Sequence, residues 1–290
     1  MILVNDYDVV RVGSLPEALA VLAAQETIPL AGGTDLMVYL DARQLPPCTF
    51  LDLSGIDGLD RYELSSTYLR LGALTTYREA RVRPEISHAF PLLALAAREV
   101  GSLAIQNRGT WVGNVVNASP AADGVPALMA YDAELELSST TGTRRAVLSN
   151  FYRGYKRMDR RADELVTGIV LPRPNSHWFE YYRKVGTRRF QAISKTLLAG
   201  RIALDVAHRI QDVRLVFASV APYTLRALQT EGILRGQELT PDLIEQAAQA
   251  VQDEIRPIDD IRSTEAYRRH VTSNLVRDFL KKSLVSGTKP

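Results

Sequence analysis

Two glycine-bearing stretches hold the residues best placed to do chemistry in this sequence. The first, Leu30-Ala-Gly-Gly-Thr-Asp-Leu36, follows a short apolar run, Thr27 to Leu30, and leads into the apolar segment Met37 to Leu40. Two glycines and a threonine therefore sit at a strand-to-helix junction, where free backbone N–H groups and the helix dipole favour a phosphate. The second stretch runs from Gly101 to Asp123, after an apolar helical segment, Leu92 to Val100, and exchanges helix periodicity for Gly, Asn, Thr and Ser with few charges. This composition suits a buried, irregular backbone facing a polar ligand. Gly109 and Gly113 permit close backbone approach, and Thr110, Asn114, Asn117 and Ser119 supply neutral hydrogen-bonding groups. A tight turn or a glycine-rich connection would explain either loop alone. Two of them in one half of the chain fit a diphosphate held from two sides. Neither G-x-G-x-x-G nor the P-loop pattern occurs, which argues against Rossmann and P-loop sites.

The chemistry that is missing narrows the reading further. Local signatures suggest no Ser-His-Asp or Cys-His set, no metal motif and no paired catalytic carboxylates. A polar loop without an evident acid, base or nucleophile suits a cofactor that performs the chemistry itself. The single cysteine, Cys48, excludes a disulfide framework and an iron–sulfur cluster held by this chain's own thiolates. His88, His177, His208 and His270 lack metal-ligand spacing and read as surface or capping residues.

The chain has 290 residues, enough for two modest domains, and a formal charge of +2 with its charges interspersed. Basic clusters occur at Arg153–Arg161 and Arg183–Arg189, the first suited to a solvated loop or a partner contact. Without a sustained basic face, nucleic-acid binding is not expected. The start, Met-Ile-Leu-Val-Asn-Asp-Tyr-Asp, lacks the basic and apolar regions of a signal peptide, and no segment approaches a membrane span. A cytoplasmic protein is the simplest expectation.

These loops need elements to hold them. Residues 1–12 read as a short strand, and Ser14-Leu-Pro-Glu17 is a capping-box pattern before a helix at Ala18–Ala24. Strand, Gly-Gly-Thr loop and helix then make a βαβ-like opening, followed by short strands at Phe50–Leu53 and Tyr68–Ala73. Pro91–Val100 reads as a helix, Val125–Tyr131 as helical in period, and Ala133–Leu137, Arg144–Leu148 and Leu165–Leu171 as strands. Pro172-Arg-Pro174 marks the boundary between domains 1–174 and 175–290. Beyond it, Phe179–Lys184, Leu197–Val206 and Val213–Val220 have strand or buried character. Thr240-Pro241 starts a helix, and Tyr267, Val271, Leu275 and Phe279 recur every four residues in a last helix ending at Lys281-Lys282. Strands followed by helices indicate an α+β domain.

Ala31-Gly-Gly-Thr-Asp-Leu36, Ile105-Gln-Asn-Arg-Gly-Thr110, Gly113-Asn114 and Ala118-Ser-Pro-Ala-Ala-Asp123 resemble the FAD-binding medium subunit of molybdenum hydroxylases. That family includes the FAD subunits of xanthine, carbon monoxide and nicotinate dehydrogenases. The resemblance extends over nearly the whole chain, through Ala162–Leu165, Tyr182–Val185 with Arg188 and Arg189, and Asp260–Arg268. In one place the chain departs from it: Thr-Ile-Gly-Gly-Asn is usual, and Thr110-Trp-Val-Gly-Asn114 stands here.

The resemblance implies an α+β fold, with a two-part FAD-binding domain of the PCMH (vanillyl-alcohol-oxidase-like) type followed by a smaller α+β domain. It implies that the backbone of Pro29, Leu30, Ala31, Gly32, Gly33, Thr34, Asp35 and Leu36, with Thr110, Trp111, Val112, Gly113 and Asn114, grips the FAD diphosphate. Ser102 and Asp123 would bond the ribityl or adenosine portions, Leu165 would pack on the ring, and Lys184 would make a polar contact near it. Other roles stay open for these residues: Asp123 as a turn or cap residue, Leu165 as core, Lys184 as solvated or partner-bound, and Trp111 as stacked on the ring or filling core. The implied function is an oxidoreductase subunit that passes electrons to a terminal acceptor. Its partners would be a large molybdenum-cofactor (molybdopterin) subunit and a small subunit with 2Fe–2S clusters, as a dimer of heterotrimers. A stand-alone flavin enzyme and a flavin-free scaffold subunit are the alternatives.

Overall fold

The computed structural model describes residues 7–174, 177–188 and 191–286; residues 1–6 of the expected first strand, and Arg189, lie outside the described residues. The chain opens with β1 (Tyr7–Arg11), α1 (Leu15–Ala24), β2 (Ile28–Leu30), α2 (Thr34–Asp41) and β3 (Cys48–Asp52). The strands form a parallel sheet in the order β1-β3-β2, and the helices are the crossovers that parallel pairing requires. Ser14 caps α1, its Oγ accepting from the Glu17 N–H at 3.4 Å, while the Glu17 carboxylate reaches back to the Gly13 N–H at 2.9 Å. Ala18, Leu19 and Leu22 are the buried face of α1.

A second unit begins with β4 (Tyr62–Leu64) and β5 (Tyr68–Gly72). A helical layer follows: α3 (Tyr77–Val82), α4 (Pro84–Ala89), α5 (Pro91–Glu99), α6 (Leu103–Gln106), α7 (Trp111–Asn117) and α8 (Val125–Ala130). The chain then returns through β6 (Glu134–Ser139), β7 (Gly142–Val147), the ribbon β8 (Tyr152–Gly154) with β9 (Arg157–Met158), and β10 (Leu165–Pro172). The resulting antiparallel sheet has the order β4-β5-β10-β6-β7. The helices α6 and α7 correct the expectation of irregular backbone between Gly101 and Asp123. Ser102 Oγ accepts from the Ile105 N–H at 3.3 Å and Thr110 Oγ1 from the Gly113 N–H at 2.9 Å, so both hydroxyls act as N-caps. Each helix is too short for periodicity to show in the sequence.

The third unit contains β11 (Phe179–Val185), β12 (Thr196–Leu204), β13 (Ile210–Ala218) and β14 (Leu225–Arg226), an antiparallel sheet in sequence order. It is completed by α9 (Leu228–Leu234), which the sequence did not disclose, α10 (Pro241–Glu254) and α11 (Glu265–Ser286). Thr240 Oγ1 caps α10 through the Leu243 N–H at 3.2 Å, and Ile244, Ala247, Ala248 and Val251 are its buried face. In α11 the four-residue stripe does not hold one face. Four residues overshoot a helical turn by about 40°, so the stripe rotates about 120° from Tyr267 to Phe279. Tyr267 is accordingly 41 % exposed and Phe279 fully buried. The helix also continues beyond Lys281-Lys282 to Ser286.

Alternation along β12 joins the units. Leu197 and Ala199 enter the large core shared with the first two sheets, whereas Leu198 and Ile202 face the core beneath α9–α11. Gly200 allows this seating, because a Cβ there would lie 3.0 Å from the Phe279 ring. Between the cores, Arg201 bonds Glu180 at 3.0 Å and the Ala130 carbonyl at 3.1 Å, and its guanidinium lies 4.3 Å from the ring centroids of both Tyr131 and Trp178. Tyr131 Oη donates to the other Glu180 oxygen at 2.6 Å. The strand-then-helix composition of the C-terminal part and the two-part N-terminal part make the fold α+β.

Candidate functional site

The Gly-Gly-Thr loop forms the junction expected from its sequence. β2 stops at Leu30, Gly33 takes a left-handed conformation at φ 71°, and α2 begins at Thr34. No side chain caps α2, so its first N–H groups and the positive end of its dipole are available to an anion. Gly32 has a different duty. A Cβ there would lie 1.9 Å from the Arg108 carbonyl oxygen, so this glycine lets the first loop pack against the backbone entering α7.

The opposite wall is built from α6, α7 and the turn that follows. Asn114 Oδ1 accepts from the Gly124 N–H at 3.1 Å and thereby fixes the Asp123 turn. Asp123 Oδ2 accepts from Lys184 Nζ at 2.7 Å, and the same ammonium donates to the Glu99 carbonyl at 2.9 Å. Tyr182 Oη donates to the Asp123 carbonyl at 2.9 Å. Burial pushes the Asp123 carboxyl up to about 6, and the charge and hydrogen bond of Lys184 act against that rise. Burial also raises Asp35, with Lys156 acting in the opposite direction.

Between the walls lies a cleft of about 1250 Å³, larger than the usual drug-sized pocket of roughly 300–1,000 Å³ and suited to an extended ligand. Most of the residues expected from the sequence meet there: Pro29, the run Ala31–Leu36, Ser102, Thr110, Val112–Asn114, Asp123 and Leu165. Three do not reach its surface. Leu30 lies behind the loop, with its Cδ1 3.3 Å from where a Gly33 Cβ would be. Trp111 is fully buried, with its ring edge-on to Tyr77 at 4.6 Å, so its indole fills core. Lys184 is 5 % exposed behind Asp123, so it reaches the cleft only through that carboxylate.

Other cleft residues were not singled out from the sequence. Lys156, at the tip of the β8–β9 ribbon, donates to Asn117 Oδ1 at 2.9 Å and to Tyr39 Oη at 3.1 Å, and both partners also line the cleft. It belongs to the basic cluster read as a solvated loop or partner contact, and nothing local in the sequence distinguishes it from its neighbours. On the C-terminal side, Arg268 donates to the Ser219 carbonyl and to Asp260 Oδ1, each at 2.7 Å. The Asp260–Arg268 segment thus reaches the cleft, although the sequence marked it by resemblance alone. Among the described residues, no group of His, Cys, Asp or Glu could hold a metal ion.

Several polar groups at the wall are left without protein partners. Asp123 Oδ1 and Tyr77 Oη are buried with no hydrogen bond, and the α2 terminus is uncapped. A ligand bearing hydroxyls and a diphosphate would supply what each lacks, and the groups present fit a flavin dinucleotide.

Residues 5–174 match the family model described as the FAD binding domain in molybdopterin dehydrogenase, and residues 180–283 match the CO dehydrogenase flavoprotein C-terminal domain. The chain belongs to this family of molybdopterin-dehydrogenase flavoproteins. It is 31 % identical to the glyceraldehyde dehydrogenase medium chain of Sulfolobus acidocaldarius, covering 95 % of this chain and 98 % of that one. It is 29 % identical to the nicotinate dehydrogenase FAD-subunit of Eubacterium barkeri, covering 91 % and 92 %. In fold it is similar to chains of carbon monoxide dehydrogenase from Hydrogenophaga pseudoflava, at TM-score 0.91 and 23 % identity over 96 % and 97 % of the two chains. It is also similar to quinoline 2-oxidoreductase from Pseudomonas putida 86, at TM-score 0.89 and 22 % identity over 98 % of each.

Proposed function

We propose that this chain is the FAD-carrying subunit of a multi-subunit molybdenum hydroxylase, an oxidoreductase that oxidises an aldehyde, a heterocycle or a similar substrate. The observation that carries the reading is the uncapped α2 N-terminus, set against the α7 wall inside a cleft whose residues fall within the matched FAD-binding family model. Bound there, FAD would accept electrons arriving from iron–sulfur clusters and pass them to a terminal acceptor. The N–H groups of Gly33–Leu36 and, from the facing segment, those of Thr110 and Val112 bind the diphosphate, the N–H groups of Trp111, Gly113 and Asn114 being taken by the Thr75 carbonyl, Thr110 Oγ1 and the Thr110 carbonyl. Ser102 Oγ and Asp123 Oδ1 bond the ribityl or adenosine hydroxyls, and Leu165 packs on the ring. Lys184 acts through Asp123, holding the carboxylate in place.

The partners in this reading are a large subunit with the molybdenum cofactor and a small 2Fe–2S subunit, assembled as a dimer of heterotrimers, in the cytoplasm. Among the described residues no helix is long and apolar enough to cross a membrane. The burial of Trp111 favours a flavin-bearing subunit over a flavin-free scaffold, because the indole does not occupy the cleft.

The test is an absorbance spectrum of the purified chain, with the released cofactor identified chromatographically, and metal analysis of the complex isolated from its native host. Flavin bands, FAD on denaturation, and co-purifying molybdenum and iron are expected. A folded chain that neither contains FAD nor quenches the fluorescence of added FAD would overturn the reading.

A further inference from the structure

The helix that presents the anion-binding terminus is held by almost no apolar packing. None of the residues of α2 is fully buried, and Met37 and Val38 are 55 % and 61 % exposed. Its placement therefore rests on contacts near its two ends. At the N-terminal end, Gly32 abuts the Arg108 carbonyl. Toward the C-terminal end, Tyr39 Oη donates to Asn117 Oδ1 at 3.0 Å, and Lys156 Nζ donates to Tyr39 Oη at 3.1 Å, to Asn117 Oδ1 at 2.9 Å and to the Asn117 carbonyl. Three acceptors take up the three protons of the ammonium.

The two contacts are seven residues apart, and the five steps from Thr34 to Tyr39 advance about 7.5 Å along the helix axis. A single pin would let α2 pivot about the Gly32 contact, and the second pin prevents the pivot. Asn117 is the last residue of α7, the helix whose first turn carries Thr110–Asn114. The pin therefore ties the C-terminal parts of the two helices whose N-terminal ends face each other across the cleft, and its own three residues line the same cleft. Lys156 reaches this point from a ribbon tip with φ 55°, a left-handed conformation that side-chain-bearing residues adopt only at a cost.

We propose that Lys156 is a positioning residue for the cofactor: with Tyr39 and Asn117 it forms a clasp that fixes α2 against α7 and so keeps the two diphosphate-facing backbone segments in register. This rests on the FAD reading above. The clasp acts on FAD and much less on FMN, because only the dinucleotide's diphosphate needs both segments at once.

The test measures FAD release from the loaded full chain by recovery of flavin fluorescence, beside the melting temperature of each apo form. K156M and Y39F should each release FAD roughly tenfold faster, the effect of losing about one charge-assisted hydrogen bond. K156R should stay near the wild-type rate, since a guanidinium can still donate to Asn117 and Tyr39, and FMN affinity should stay within about twofold in all three. Wild-type release rates in K156M or Y39F would overturn the clasp. So would equal losses of FAD and FMN that follow a lowered apo melting temperature, which would mark Lys156 as a general stabiliser. If the wild-type chain binds no FAD, the underlying reading fails instead, and the control shows it directly.

Discussion

Replacing Lys184 by methionine isolates what a buried ammonium does for Asp123. The carboxyl is pushed up from its ordinary 3.8 to about 6 by burial, and Lys184 limits the rise. The unfolded chain loses this proton near 3.8 and the folded chain near 6, so the folded state is penalised as pH climbs between the two values. At about 1.4 kcal/mol per unit, this group's contribution falls by ~3 kcal/mol over that interval and is constant above it. At about pH 7 the folded carboxyl stands one unit above its midpoint, and its ionisation beside Lys184 recovers ~1.4 kcal/mol. Without the ammonium the carboxyl stays protonated in the fold, and that recovery is lost.

K184M should therefore show a stability deficit that is larger by ~1.4 kcal/mol at about pH 7 than at about pH 5, on top of a pH-independent loss from the bond to the Glu99 carbonyl. Urea unfolding of both proteins across this range, without added FAD, measures it directly. In a D123N background the pH-dependent part should vanish. A K184M deficit of the same size at both pH values would refute the reasoning, because the ammonium would then not be setting the charge of Asp123.

Two further outcomes follow from the packing. G32A should cost about 1–3 kcal/mol and weaken FAD binding at least tenfold by equilibrium dialysis, since its Cβ would meet the Arg108 carbonyl at 1.9 Å; G13A, with open space around its Cβ, should match wild type. R201M should lower the unfolding free energy by about 3–5 kcal/mol, because Glu180 is left as a buried carboxylate without its cation, and E180Q combined with R201M should restore part of it; a loss below about 1 kcal/mol would show that the pair contributes little to joining the units.

Neighbouring residues alone determined a good part of this protein. An apolar run, two glycines and a threonine dictate the β2–α2 junction, because a left-handed residue before a helix start is a matter of local backbone sterics. Ser14 before Glu17 and Thr240 before Pro241 mark helix starts for the same reason. Most strands of the second and third sheets are legible from apolar runs, alternation and turns, whereas the short edge strands β4 and β14 are not, and motif spacing indicated the family. Between Gly101 and Asp123 local reading failed, since Ser102 and Thr110 have the chemistry of both a ligand contact and a helix cap, and α6 and α7 are too short to separate the two.

Only the tertiary structure decided which way the side chains near the cleft face. Trp111 follows Thr110 in sequence, yet its indole is committed to the core by Tyr77. Lys184 is taken out of the cleft by Asp123 and the Glu99 carbonyl, and Gly32 is glycine because Arg108 packs against it. Lys156 becomes a clasp through residues 39 and 117 positions away. Local sterics fix a residue's φ and ψ, whereas the side of a wall on which its side chain lies is fixed by contacts between distant segments, which no short stretch of sequence contains.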